Sequence, residues 1–558
     1  MTRAKRYASG FLSVLTALLV MGVSAAAATT WYVDGSLGND ANSCLAPGPS
    51  ACKTIQAAII KASSGDTINV AAGAYPEPAP GPLTVSKTLT LLGAQAGVDA
   101  RFPRGPESIV TDPQGTSVGA SNVVINGFTF QDSVNTAFTG YGIWLNPGVS
   151  GTHIVNNIIQ NNIVGIGLAN AGPSQALIQH NLIQNNNVFF GVCCASGAGI
   201  YTDEFVGGST VKNVLIKENA FIGNDDAGID VSNTDPTGGV FNLEVSTNSF
   251  DANGRAVVLF NTHMSTIHDN SMTNSTNALS ATIRLFDNNS DLSILSNDLV
   301  NGAGHAIRLS FLMLVGGPSS RVVINENNIG TVGFASFGGD GLLVDPGSHV
   351  GTVNAECNWW GSFTGPTNTN NPGGMGEEVV GNADFTPWLI SPAPSGVCVG
   401  GVPSTPGKVT GGGQIPGDDP IFSPFGDLLS VPALIPSLAD PNAQATFGFA
   451  VRCCDSMGNP TGNLEYDDHA MDVRIKAQSV GGLFISSPGT FCAPMTGKHA
   501  KVTGMAAVIR STGTTTEPFT VDVDDCGEPG TMDTFGIKTT TYSNGPSTLI
   551  GGNIQIKQ

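Results

Sequence analysis

Between Asn157 and Asn358 the chain repeats one short phrase eight times: polar residues ending in an Asn, one further residue, then an apolar one. The copies read NNIIQNN (Asn156 to Asn162), HNLIQNN (His180 to Asn186), ENAFIGN (Glu218 to Asn224) and TNSFDAN (Thr247 to Asn253). They continue as DNSMTNS (Asp269 to Ser275), SNDLVNG (Ser296 to Gly302), ENNIGTV (Glu326 to Val332) and CNWWGSF (Cys357 to Phe363). The anchor Asn recurs every 22 to 38 residues, the range of a solenoid repeat. Each unit holds two or three short β-branched runs between Asn, Gly or Asp turns, and no helical period. A unit of that kind cannot bury its apolar face alone, so it must stack on its neighbours. The pattern predicts an all-β chain built as a parallel β-helix.

The anchors Asn157, Asn181, Asn219, Asn248, Asn270, Asn297, Asn327 and Asn358 are expected to lie in one line. Each amide would donate to one rung and accept from the next, as in stacked cross-β arrays. Asn also tolerates left-handed backbone, which suits it to the turn itself.

Residues 1–28 read as an export signal. Arg3, Lys5 and Arg6 form a basic start, Phe11 to Val23 an apolar run, and Ser24 to Ala28 a small-residue cleavage zone. The apolar run is short for a membrane span, and no other segment approaches it. A secreted or cell-surface protein is expected, with no transmembrane segment in the mature chain. Net charge is −20, and −23 without those three basic residues. An acidic surface argues against nucleic acid and anionic membranes as partners, and leaves Ca²⁺ as a candidate cofactor. The ten cysteines suit an oxidising compartment. Cys44 and Cys52 make the most natural pair, and Cys453, Cys454, Cys492 and Cys526 are expected to supply one or two bridges. The neighbours Cys193 and Cys194 are expected to be free or to have distant partners. No Cys-x-x-Cys spacing favours a metal.

Trp31 to Ser36 reads as an opening strand. Ile55, Ala58, Ile59 and Ala62 then repeat at helical spacing within Lys53 to Ser63, and Gly65 to Tyr75 alternates like a first rung. An amphipathic helix here would cover the open end of the solenoid. This block and the repeats resemble the pectate-lyase-like right-handed β-helix proteins. The segment CNWWGSFTGP (Cys357 to Pro366) with DFTPWL (Asp384 to Leu389) resembles the closing turn of many bacterial β-helix proteins. The resemblance, over about two-thirds of the chain, implies a right-handed helix across residues 29–390. Residues 391–408 are rich in Pro, Gly and Ser and read as a linker. Residues 409–558 carry alternating runs such as ATFGFAV, FTVDV and NIQIK, which predict a small antiparallel sandwich or barrel. Their phrases GKVTGGGQI, DDCGEPGTMDTFGI and GGNIQIK resemble a C-terminal module of uncharacterised secreted bacterial proteins.

One strand per rung starts with a small or apolar pair: GIWLN (Gly142), GIGLA (Gly165), GIYTD (Gly199), GIDVS (Gly228), AVVLF (Ala256), TIRLF (Thr282), AIRLS (Ala306) and GLLVD (Gly341). With the second and fourth residues inward, the third forms an outward column: Trp144, Gly167, Tyr201, Asp230, Val258, Arg284, Arg308, Leu343. The fifth adds Asp203 and Asp345. Asp230 and Arg284, two rungs apart, are expected about 10 Å from each other at the backbone. Aromatic rings stack on sugars, Arg pairs with uronate carboxylates, and Asp acts as acid, base or Ca²⁺ ligand. The column therefore predicts a polysaccharide partner on an exposed face of a monomer. Trp144, Tyr201 and Asp203 would bind it, while Asp230, Arg284 and Arg308 would carry any lyase or hydrolase chemistry. The alternative is a solvated face on a non-catalytic surface or matrix protein. NTD (Asn233 to Asp235), DD (Asp225 and Asp226) and GH (Gly304 and His305) resemble polygalacturonase motifs, but in the wrong order, so no catalytic role follows from them. In the C-terminal region Asp522, Asp524 and Asp533 have the spacing of an EF-hand-like loop, with Cys526 where an oxygen ligand belongs.

Overall fold

The computed structural model describes residues 28–77, 82–135, 140–187, 196–330, 336–362, 364–371, 374–394, 398–400, 407–417, 444–453, 460–486, 492, 497–528, 530, 532–539 and 541–557. Residues 1–27 of the expected export signal, and Cys193, Cys194 and Cys454, lie outside these residues.

Three parallel sheets of 13, 12 and 10 strands run the length of the first part of the chain among the described residues. Successive strands pass from the 13-stranded to the 10-stranded to the 12-stranded sheet, so each rung contributes one strand to each, and the architecture is a parallel β-helix. Inward positions stack like on like. Ile154, Ile178, Ile216, Val245, Ile267, Ile294 and Ile324 are consecutive register partners in the 13-stranded sheet and are buried. In the 10-stranded sheet Phe221 pairs with Phe250, their rings stacked 4.7 Å apart. A rung fills the same volume as its neighbours, so no side chain has to span a gap.

The anchor ladder is continuous. Asn157 Nδ2 donates to Asn181 Oδ1 at 3.2 Å, and the same donation runs from Asn181 through Asn219, Asn248, Asn270, Asn297 and Asn327 to Asn358. The left-handed geometry falls one residue earlier than expected. Asn156, His180, Glu218, Thr247, Asp269, Ser296, Glu326 and Cys357 have φ of 53 to 61°, while the anchors do not. The preceding residue makes the turn, which frees the anchor amide to point inward. A second ladder, not anticipated, joins Asn162, Asn186, Asn224 and Asn253 at the next corner.

A helix at Ile55–Lys61 buries Ile55, Ala58 and Ile59 against the first rungs, with Thr54 Oγ1 capping Ala57 N–H. This is the expected end cap. Cys44–Cys52 is bridged, as its short loop suggested. Cys357–Cys398 was not foreseen. It ties the last turn to Cys398–Gly400, a strand inside the segment read as a linker, which pairs antiparallel with Trp388–Leu389 just before that segment.

The C-terminal strands form one antiparallel sheet of nine strands among the described residues. Phe447 lies on Gln444–Cys453 and Phe535 on Thr534–Thr539, which are not neighbours in the sheet, yet their rings stack 3.8 Å apart. The sheet therefore curls around its own core. Cys492–Cys526 is bridged and Cys453 is disulfide-bonded, in line with the bridges expected there.

Candidate functional site

The aligned column is realised rung by rung on the 12-stranded sheet. Trp144 pairs with Gly167, Gly167 with Tyr201, Tyr201 with Asp230, Asp230 with Val258, Val258 with Arg284, and Arg284 with Arg308. Leu343 follows Arg308. The alternation is enforced from inside, where Ile143, Ile166, Ile200, Ile229, Val257, Ile283 and Ile307 fill the core.

The column is not the open face that was expected. Tyr201 and Asp230 are each 6% exposed and Arg284 is 7% exposed. Two loops lie over it. Val206 packs with Tyr141, Val164, Ala198 and Tyr201, and Trp144 Nε1 lies 3.4 Å from the Val206 carbonyl. Further along, Val315 packs with Ala227, Val258 and Phe260. Val258 and Phe260, apolar members of the aligned strands, are footings for the second of these plugs.

Each loop is held by a carboxylate at its base. Asp203 accepts from Phe205 N at 2.9 Å, from Val206 N at 2.7 Å and from the Tyr201 hydroxyl at 2.8 Å. Burial and the Asp203 charge push the Tyr201 hydroxyl far above its ordinary pKa, so it remains a donor. Asp203 is thus a loop clamp rather than a free binding group. Asp287, fully buried, accepts from Leu312 N and Leu314 N at 2.6 Å each and from Val315 N at 3.3 Å.

Between the plugs, Asp230 hydrogen-bonds to Asp226 and accepts from the Ser232 hydroxyl at 2.5 Å, while Arg255 pairs with Asp226. Burial raises the Asp230 pKa, the Asp226 charge adds to it, and Arg255 and Ser232 oppose it. Asp230 therefore takes up a proton more readily than an ordinary carboxyl. Asp226 and Arg255 were not singled out as site residues, because they meet only when adjacent rungs stack.

Arg308 and Arg284 differ although they are register partners. Arg308 donates to Asp345 from Nε at 3.1 Å and Nη2 at 3.0 Å, and Ser310 joins the same carboxylate. Arg284 stands 4.6 Å above the Phe286 ring, and its buried Nη1 has no hydrogen-bond partner among the described residues. Burial, then Arg308, lowers its pKa to about 10, so it is charged at neutral pH. Next to these, His305 Nδ1 accepts from Asp340 N at 2.8 Å. Burial and the two arginines lower its pKa against the opposing pull of Asp340.

The acidic residues of the C-terminal region are differently arranged from an ion-binding loop. Asp524 Oδ1 lies 2.8 Å from His499 Nδ1, and Asp522 lies 3.5 Å from His499 Nε2 and 3.4 Å from Lys501 Nζ. Asp533 accepts from Cys526 N at 2.9 Å and Ile554 N at 2.8 Å. Among the described residues, the one triple of candidate metal-ligand atoms within 4.8 Å is Cys492, Asp524 and Cys526, whose sulfurs are bonded to each other.

No family model matches the chain, and no curated protein matches it. Solved structures similar to it include a rhamnogalacturonan lyase, at 14% identity and a TM-score of 0.33, covering 57% of this chain and 86% of that one. Pectate lyase Pel9A follows at 13% identity and 0.27, covering 64% and 79%. The Dettilon tailspike protein stands at 12% identity and 0.35, covering 95% and 94%. Likenesses this distant carry no argument about the chain's activity. Among the described residues no helix is long and apolar enough to cross a membrane.

Proposed function

We propose that this is an exported protein that binds an acidic polysaccharide at the part of the 12-stranded sheet that carries Arg284. The observation that carries the reading is the unpartnered Nη1 of Arg284, charged and nine-tenths buried. A buried guanidinium with an unused donor is costly to the fold and becomes favourable when a carboxylate fills it. Arg308, fixed by Asp345, adds positive potential without competing for that donor. The net charge of −20 opposes long-range attraction of a polyanion, so recognition would rest on this local contact.

Binding is favoured over cleavage by Asp226 and Asp230. Glycosidase carboxyls stand about 5 to 9.5 Å apart, leaving room for a sugar or water between them. Here Asp230 hydrogen-bonds to Asp226, which leaves no such room between them.

Calorimetric titration of the full chain with polygalacturonate and with neutral dextran tests the reading. Binding to the polyuronate alone is expected, and Arg284→Ala should weaken it about tenfold or more, as for a lost charged hydrogen bond. Equal binding of both polymers, or an unaffected Arg284→Ala variant, would overturn it.

A further inference from the structure

The second Asn ladder changes chemistry toward the N-terminus. Ser133 N donates to Asn162 Oδ1 at 3.0 Å, and Ser133 Oγ donates to the Asp112 carbonyl at 2.9 Å. One rung before Ser133 this corner carries Asp112, and one rung earlier Glu77, since Thr111 pairs with Gln131 and Pro76 with Thr111. Both side chains are buried, with Glu77 at 7% and Asp112 at 3% exposure. An Asn amide donates and accepts, so it can bond its counterpart on the next rung, whereas a carboxylate only accepts. The ladder cannot run from Asp112 to Glu77 without a positive species between them.

The other contacts of the pair are acceptances too. Glu77 Oε1 takes Ile55 N at 3.2 Å, and Asp112 takes Leu83 N at 2.7 Å and Gln114 N at 2.9 Å. Glu77 Oε2 is buried and has no partner among the described residues, so no hydrogen bond joins it to Asp112. A buried carboxylate oxygen left in that state is costly. Thr116, which follows the Asp112 turn and pairs with Leu83, also has a buried hydroxyl without a partner among the described residues. Burial first, then the charges of Asp112 and Asp40, raise the Glu77 pKa to about 7 against the amides of Ile55 and Gln56.

We propose that Glu77 and Asp112 hold a Ca²⁺ ion between the first two rungs of the 10-stranded sheet, at a site separate from Arg284. Carboxylates are the oxygen ligands this hard cation takes, with carbonyls, hydroxyls and water as its usual remaining partners. Adjacent rungs lie about 4.8 Å apart, and oxygens on opposite sides of Ca²⁺ about 4.6 to 5.2 Å apart, against about 4.1 Å across Mg²⁺. The rung spacing favours the larger ion. Glu77 also takes the amide of Ile55, the first residue of the cap helix, so the ion fastens that cap to the solenoid.

The test is calorimetric titration of the full chain, freed of metal with EDTA, with CaCl₂ and with MgCl₂. Wild type should bind Ca²⁺ with a Kd of about 1 mM or below, and Mg²⁺ at least about tenfold more weakly. Ca²⁺ at about ten times its Kd should slow hydrogen exchange of the Ile55–Lys61 amides about tenfold. Glu77→Gln, whose remaining oxygen can still accept from Ile55, and Asp112→Asn should each lose both effects, while Asp522→Asn keeps them. In EDTA Glu77→Gln should melt no lower than wild type, which separates loss of the ion from loss of the fold. Absence of Ca²⁺ binding, binding that survives Glu77→Gln, or unchanged exchange of the cap helix overturns the site.

Discussion

Asn181 Oδ1 accepts two hydrogen bonds from Asn157, one from its backbone N at 2.8 Å and one from its Nδ2 at 3.2 Å. Each anchor repeats this twofold grip on the next, and its own Nδ2 also reaches a backbone carbonyl of the previous rung, as Asn157 does with Ile125 at 3.0 Å. One small side chain thereby couples three successive rungs inside a buried corner.

Removing one anchor should be felt in the middle of the stack. Asn248 accepts from Asn219 N and Nδ2 and donates to Ile216 O and Asn270 Oδ1. Asn248→Ala leaves several of these groups buried and unpaired, and should cost about 2 to 4 kcal/mol in denaturant unfolding. A loss below about 1 kcal/mol would mean that the ladder is decoration on the apolar stacks.

Arg284 should be a liability in the unbound protein. Arg284→Met keeps the aliphatic stem and removes the unpaired donor, so it should raise stability by about 1 kcal/mol while abolishing the polyuronate contact. The measurement is a thermal melt beside the titration. A destabilised Met variant would show that the guanidinium earns its place structurally.

The Asp226–Asp230 pair predicts a pH dependence. The folded-state pKa of Asp230 lies above its unfolded value, so the native state binds more protons over that interval and stability falls as pH rises through it. Its contribution is fully present below about pH 4, the unfolded value, and lost as pH passes the raised one. Burial also pushes the Glu77 carboxyl up to about 7, so the readout is the difference between proteins. Asp230→Asn should melt higher than wild type at about pH 8 and no higher at about pH 4. Parallel profiles would show that protonation of Asp230 does not govern this dependence.

The acidic residues near the C-terminus give opposite expectations for calcium and for pH. Asp522 and Asp524 bracket His499, and Asp533 serves two backbone amides, so in the Glu77→Gln variant millimolar Ca²⁺ should shift the melting temperature by less than about 1 °C. Burial works against the charged imidazole, but hydrogen bonds and charge from Asp522 and Asp524 outweigh it and raise the His499 pKa. Its stabilisation is present below the ordinary His value of about 6.5 and is lost as pH rises through the raised one. An NMR titration of His499, with and without Ca²⁺, checks both. A large Ca²⁺ shift with a displaced imidazole would restore the ion-binding loop.

The repeat was legible because it is local and redundant. An anchor Asn, one further residue and then an apolar one state the corner eight times over, and period-two alternation then dictates which residues face out. That is why the column from Trp144 to Leu343, and the two-rung interval between Asp230 and Arg284, could be aligned from the chain alone. The helical spacing at Ile55, Ala58 and Ile59 was readable for the same reason.

What covers that column was decided in three dimensions. Asp203–Gly208 and Ser310–Pro318 have no period, and their paths depend on single contacts: Val206 landing by Tyr201, and Val315 by Val258. The column has two adjacent arginines, and nothing local distinguishes them. Only stacking shows that Asp345 reaches Arg308 and that Phe286 alone lies beneath Arg284. Asp226 meets Arg255 across 29 residues, and Cys357 meets Cys398 across 41, for the same reason. Side-chain direction follows from backbone alternation, whereas burial and pairing depend on which distant segments the stacked rungs bring alongside.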